Sequence, residues 1–144
     1  MGSKRIAVIA ALLGCFGLID SGYLTIKHLQ GAYVQCGDEC SAVLGSQYAD
    51  GVAGIPLAGF GVMAYSAVIV AALLMATGVA KARRLLGLLA ATMAIFSVWL
   101  VYLQAFVIHS FCRYCLASAG ASFTLAGLMV LDRLFSRADI GQKA

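Results

Sequence analysis

The uneven placement of charge constrains this chain more than any other feature. Its ten Lys and Arg and six Asp and Glu leave four windows with none, residues 6–19, 51–80, 85–112 and 114–131. A chain that is 62% hydrophobic with a mean hydropathy of +0.96 is not a soluble domain, in which about half the residues are apolar and about a quarter charged. Four membrane spans of about 20 residues each use most of the length and leave only short connections. The expectation is one polytopic membrane domain over residues 1–144, all-α, a four-transmembrane-helix bundle with an outer capping loop.

The windows predict spans over about residues 6–26, 57–79, 85–108 and 115–131, with Asp20 interrupting the outer part of the first. Helices are the expected spanning form. Lipid cannot satisfy an open backbone, and no ten-residue polar/apolar alternation points to a barrel. Small residues at helical spacing, Gly87/Ala91 and Ala67/Ala71, would let helices approach closely. Leu12-Leu13-Gly14-Cys15 resembles a lipoprotein cleavage box, but the apolar run continues through Phe16, Leu18 and Ile19 and reads as a span.

Orientation follows from the basic residues. Lys4 and Arg5 precede the first span, Lys81, Arg83 and Arg84 lie between the second and third, and Arg133, Arg137 and Lys143 follow the fourth. The positive-inside rule makes that side cytoplasmic, with both termini inside a cell (inner) membrane. The net charge of +4 reflects topology and is not a nucleic-acid footprint, because no basic stripe is interleaved with aromatics.

The outer segments carry the chemistry. Residues 27–56 form the longest connection and contain Cys36-Gly37-Asp38-Glu39-Cys40. Val43, Leu44 and Tyr48 predict a short amphipathic helix lying on the bundle, with Asp38 as its N-cap. Gly51 to Pro56 reads as the turn into the second span. The connection between the last two spans is His109-Ser110-Phe111-Cys112-Arg113-Tyr114-Cys115. Four of the five cysteines therefore fall on the non-cytoplasmic face, where disulfides form and persist. A C-x2-C pair is a natural dithiol/disulfide switch. At the start of a helix, beside Arg113, a thiolate is favoured, and the thiolate is the attacking species. Two pairs in series make a relay. The same four thiols could also hold a structural zinc or form static staples. Cys15 reads as a small buried hydrophobe.

These residues resemble the vitamin K epoxide reductase family, in its bacterial branch. The likeness rests on Asp20-Ser21-Gly22-Tyr23-Leu24-Thr25, Cys40-Ser41-Ala42-Val43-Leu44, Gly54-Ile55-Pro56, and Gln104-Ala105-Phe106-Val107-Ile108 ahead of Phe111-Cys112-Arg113-Tyr114-Cys115, and covers about residues 15–130. The resemblance implies a four-helix bundle around a quinone (ubiquinone, menaquinone or another vitamin K-type quinone), with the loop capping its outer mouth. It implies that Cys115 faces the quinone and forms a transient adduct, and that Cys112 is its redox mate and exchanges with Cys40. Cys36 accepts electrons from an exported thioredoxin-like protein. Ala119 stands where animal members place a quinone-contacting tyrosine, which points away from epoxide chemistry.

Further candidates for the quinone site are Phe111, Tyr114, Asp20 and His109. His109 reads either as a proton carrier or as an interfacial histidine. Asp20 reads as a functional acid inside a span or as a group reaching outer water. Trp99, Tyr102, Phe106, Phe111 and Tyr114 form an aromatic cluster that suits a membrane interface. The expected activity is oxidation of partner thiols to disulfide with electrons passed to quinone, with no resident metal. Alternatives are a vitamin K epoxide/quinone reductase, and a cysteine-based metal or mercuric-ion carrier. The B-type disulfide-bond oxidase carries its C-x2-C in the first outer loop, unlike this chain.

Overall fold

The computed structural model describes residues 2–31, 37–51 and 53–142. Helix α1 spans Ser3–Leu29, α2 Asp38–Leu44, α3 Leu57–Ala76, α4 Ala80–Tyr102 and α5 Arg113–Gln142, and a π-helical segment, Leu103–Ile108, continues α4. Four of these are long and apolar enough to cross a membrane: Lys4–Leu29, Leu57–Ala76, Ala80–Ile108 and Arg113–Ser136. The all-α expectation holds among the described residues, and the short α2 lies in the loop region expected to cap the bundle.

The boundaries differ from the charge-free windows in an instructive way. α4 begins at Ala80 and takes Lys81, Arg83 and Arg84 into its first turns, and α5 runs on past Leu131 through Asp132 and Arg133. Charge marks where apolar solvent ends, but long basic side chains keep the backbone helical while their heads reach the interface. At α2 the N-cap is Gly37, with φ 96°, and Asp38 is the first helical residue instead of the cap. Asp38 and Glu39 then occupy the first turn, where the helix dipole favours acids. Tyr48 falls beyond the end of α2.

Close packing of α1 against α3 organises the bundle. Its basis is a run of small residues. A Cβ on Gly14 would lie 2.8 Å from Ile69, one on Gly17 would overlap the Tyr65 ring, and one on Gly61 would lie 2.7 Å from the Ser21 hydroxyl. In lipid no hydrophobic force drives apolar helices together, so close backbone approach and dispersion contacts carry the association. The half of the bundle away from the C-x2-C turn holds the main core, in which Ile6, Val68, Ala71, Leu86 and Leu125 are fully buried. Gly87 does not meet a neighbouring backbone as its spacing predicts. Its missing side chain makes room for the Arg133 guanidinium.

At the same end, Arg83 Nη2 donates to Asp132 Oδ1 at 2.9 Å. Arg83 Nε lies 2.8 Å from Asp132 Oδ2, as an ion pair without hydrogen-bond alignment. This clamp ties the start of α4 to the later part of α5. The outward faces carry large apolar side chains such as Leu12, Ile19, Leu88 and Ile95, as a lipid-facing surface requires. Two aromatic pairs, Phe96–Trp99 and Tyr102–Phe106, lie on the C-terminal half of α4 and its continuation with ring centroids 5.3 and 5.0 Å apart.

Candidate active site

Between α1, α3, α4 and α5 lies a cavity of about 510 Å³, roofed by Val43 and Leu44 of α2 and by the turn that follows. The roof is fastened by His28, whose Nδ1 donates to the Leu44 carbonyl at 3.2 Å and whose Nε2 lies 3.6 Å from Asp50. The walls are mostly apolar, Phe60, Phe96, Leu100 and Ile108 among them, with a few hydroxyls, the Gln104 amide, the His28 imidazole and one thiol, that of Cys115.

The α4 continuation sets the cysteine geometry. A π-helical segment ends at His109, whose φ of 54° and ψ of 31° put it in the left-handed region. This is uncommon for a residue with a side chain, though histidine is among the more tolerant. The chain turns there and enters α5. Gln104, 3% exposed, holds the turn from inside. Its carbonyl accepts from Ser110 N at 3.2 Å, and its side-chain Oε1 accepts from Cys112 N at 2.9 Å. π-Helical segments recur at functional sites, and here one carries the amide that positions a cysteine.

Cys112 and Cys115 are free thiols. Cys112 has no exposed surface and Cys115 is partly buried. The Cys115 N–H donates to Cys112 Sγ at 3.5 Å. Cys112 lies between the spanning segments. Its thiol is held down to about 7, first by a hydrogen bond from the Cys115 side chain and then by backbone N–H groups, against burial and the negative charge of Asp20. Cys112 is therefore poised as a thiolate just before the start of α5, a setting that favours the charged sulfur. Cys40 is disulfide-bonded and fully buried. It packs in one apolar cluster with Leu24, Val43 and Cys112, and Cys115 and Tyr114 border that cluster. α2 and the C-x2-C turn are thus neighbours in space. Cys36 lies outside the described residues.

The other candidates fall elsewhere. Among the residues singled out above for catalysis or quinone contact, and among those the structure describes, only Cys115 lines the cavity. Tyr114 stacks on Tyr23 with ring centroids 5.2 Å apart, and Lys27 Nζ sits 5.7 Å above the Tyr23 ring. Together they form a seam outside the cavity between α1 and α5. Phe111 and His109 are exposed. Asp20 is 8% exposed and its Oδ2 has no hydrogen-bond partner among the described residues. Its carboxylate is close enough to act on the Cys112 charge, although it is not on the cavity wall. In the sequence, His28, Tyr65, Ser118 and Ser122 carry no site role, and Gln104 enters only as part of a family motif. The available signal was a polar residue within an apolar span, which lipid makes costly unless it has partners or a task.

The cavity suits a lipid-soluble quinone on the chemistry of its walls. Ligand sites of about 300–1,000 Å³ are typically apolar with a few convergent polar groups, and here the apolar wall carries Cys115. The model of the vitamin K epoxide reductase family matches residues 8–130. No curated protein matches the chain.

Proposed function

The chain belongs to the vitamin K epoxide reductase family, whose members are membrane oxidoreductases linked to quinones, and from that premise we propose a quinone-dependent thiol oxidase acting outside the cytoplasm. Its electron donor is an exported thioredoxin-like protein. The observation that carries this reading is the placement of Cys115 on the wall of the apolar cavity, with Cys112 beside it in the same buried cluster as Cys40.

The route runs in three exchanges. The partner's dithiol reduces the loop pair, Cys36 and Cys40, and leaves as a disulfide. Cys40 then attacks an oxidised Cys112–Cys115 pair to give a transient Cys40–Cys112 bond. Cys36 resolves that bond, so the loop disulfide re-forms and Cys112 and Cys115 become thiols. A bound quinone supplies an acceptor for two electrons and two protons, and the Cys112–Cys115 dithiol closes to a disulfide as it gives them up.

The arrangement with Cys40 bonded and Cys112 and Cys115 free is compatible with this route, which needs a stage before that closure. Cys112, with its depressed pKa, is suited to be the sulfur that closes the ring of the disulfide. The apolar walls and the α2 roof exclude water, which keeps the reacting thiols from side reactions. Ala119 contributes only a methyl group near Cys115, and this supports thiol oxidation over epoxide reduction.

The test is turnover of purified protein with a reduced thioredoxin-like substrate and short-chain ubiquinone or menadione. Wild type is expected to convert both, and Cys115→Ser to lose quinone-dependent turnover, because the sulfur that reacts is gone. Normal turnover by Cys115→Ser would overturn the mechanism. The eight basic residues gathered at one end support cytoplasmic termini, and reporter fusions at Ala144 and within residues 45–50 test that orientation.

A further inference from the structure

Deep in the cavity, three hydroxyls meet. The Tyr65 hydroxyl donates to the Ser118 carbonyl at 2.7 Å and lies 2.9 Å from Ser118 Oγ and 3.0 Å from Ser122 Oγ. Ser122 Oγ also lies within donating distance of the same carbonyl, at 3.1 Å. Tyr65 and Ser122 are each 2% exposed, and all three residues line the cavity. Gly17 is what lets Tyr65 reach. With no side chain there, the ring lies against α1 and its hydroxyl crosses to α5, a helix that α3 hardly touches otherwise.

Ser118 follows Cys115 by about one turn of α5, a pitch of about 5.4 Å, and Ser122 follows Ser118 by another. Cys115, Ser118 and Ser122 therefore present one stripe to the cavity. One turn is comparable with the width of a six-membered ring and its carbonyls. The hydroxyls can also exchange roles. When Tyr65 donates to the Ser118 carbonyl, both serines can donate to the Tyr65 oxygen. When Ser122 takes over the carbonyl and Tyr65 donates to Ser118 Oγ, the Ser118 hydrogen is released toward the cavity. All of these contacts exist at the distances above, so no backbone has to move.

We infer that the Tyr65–Ser118–Ser122 cluster is the hydrogen-bonding seat for one carbonyl oxygen of the quinone ring that Cys115 reaches, with Ser118 as the donor that touches it. This rests on the quinone-oxidase reading of the cavity and assigns a partner to the far end of the ring. Cys115 supplies the reacting sulfur at one end of the stripe and Ser118 an oriented donor at the other. A donor already in place in a water-poor cavity stabilises negative charge gathering on that oxygen without reorganisation. Tyr65 and Ser122 act as positioning residues that hold and release the Ser118 hydroxyl.

The test is equilibrium binding, measured by calorimetry in detergent on a Cys115→Ser background so that no chemistry follows. The probes are menadione and 2-methylnaphthalene, which has the same fused ring without carbonyls. Ser118→Ala is expected to weaken menadione about tenfold, the scale of one hydrogen bond in a desolvated site, and to leave 2-methylnaphthalene unchanged. Tyr65→Phe should show the same selective loss if it folds. Ser118→Ala keeps the backbone carbonyl that accepts from Tyr65, so it remains informative if Tyr65→Phe does not fold. Unchanged menadione affinity in Ser118→Ala, or equal loss for both probes, would overturn the seat and leave the quinone reading standing. Absence of menadione binding to the Cys115→Ser parent would overturn both.

Discussion

The side-chain oxygen of Gln104 accepts the backbone N–H of Cys112 at 2.9 Å, joining the π-helical end of one span to the first cysteine of the next. Both groups are buried, so the bond is made away from water, where an unsatisfied N–H is costly. It sets the angle at which the C-x2-C turn enters α5, and through that the placement of Cys115 on the cavity wall.

Gln104→Leu removes the acceptor and leaves the Cys112 N–H buried and unpaired. A loss of about 1–3 kcal/mol is expected, read as a lower thermal midpoint in detergent, together with slower quinone reduction. Gln104→Glu keeps an acceptor in place and should recover much of the stability. Equal behaviour of the two variants would mean that the hydrogen bond does not hold the turn.

The Cys112 thiol should titrate near pH 7 in the reduced protein, because the Cys115 side chain stabilises its thiolate. Thiolate absorbance near 240 nm should rise as pH increases through about 7. In Cys115→Ala the largest stabilising contact is gone, and the transition should move up toward the ordinary thiol range of about 8.5 or beyond. Asp20→Asn should move it the other way, downward, because the Asp20 charge opposes the thiolate. An unchanged titration in Cys115→Ala would refute the pairing of the two sulfurs.

Gly17→Val places methyl groups where the Tyr65 ring lies. Overpacking of this kind costs about 1–3 kcal/mol. Here it should also pull the Tyr65 hydroxyl from Ser118 and Ser122. The expected outcome is a lower thermal midpoint with weakened menadione binding. Gly120, where a Cβ meets nothing within 4 Å, provides the control, and Gly120→Ala should be silent in both measurements.

At the other end of the bundle, the Asp132 side chain is 3% exposed and its partner Arg83 is 39% exposed. Arg83→Met strands a buried carboxylate and should be more damaging than the double variant Arg83→Met/Asp132→Leu, which removes both charges. Removing one member of a buried pair costs about 3–5 kcal/mol, less here because Arg83 is partly solvated. Chemical denaturation of the two variants side by side measures the difference. A double variant no more stable than the single would show that the pair does not act as a unit.

Much of the fold was legible because lipid is an unforgiving solvent. A span must be apolar for about 20 residues and must satisfy its own backbone, so four charge-free windows translate directly into four helices. The ends were less legible. Lys81, Arg83 and Arg84 read as a loop, yet they lie in the first turns of α4, since charge reports on solvent and helicity reports on hydrogen bonding. The cysteines stood out as candidates because sulfur at C-x2-C spacing is chemically distinctive. Tyr65, Ser118 and Ser122 passed unnoticed, because a hydroxyl in an apolar run looks alike whether it bonds its own helix or another.

By itself, then, the amino-acid sequence determined the number of spans, the clustering of charge at one end, and which residues can do redox chemistry. Solvent exclusion and sulfur chemistry act on residue types whatever their partners. Only the tertiary structure decided that Cys115 faces the cavity while Cys112 is buried beside Cys40. It also decided that a glycine on α1 lets a tyrosine on α3 bond two serines on α5. These outcomes depend on how closely helices approach and on the rotation of each about its axis. A single side chain missing at Gly17 sets both for Tyr65, and no pattern within one span records it.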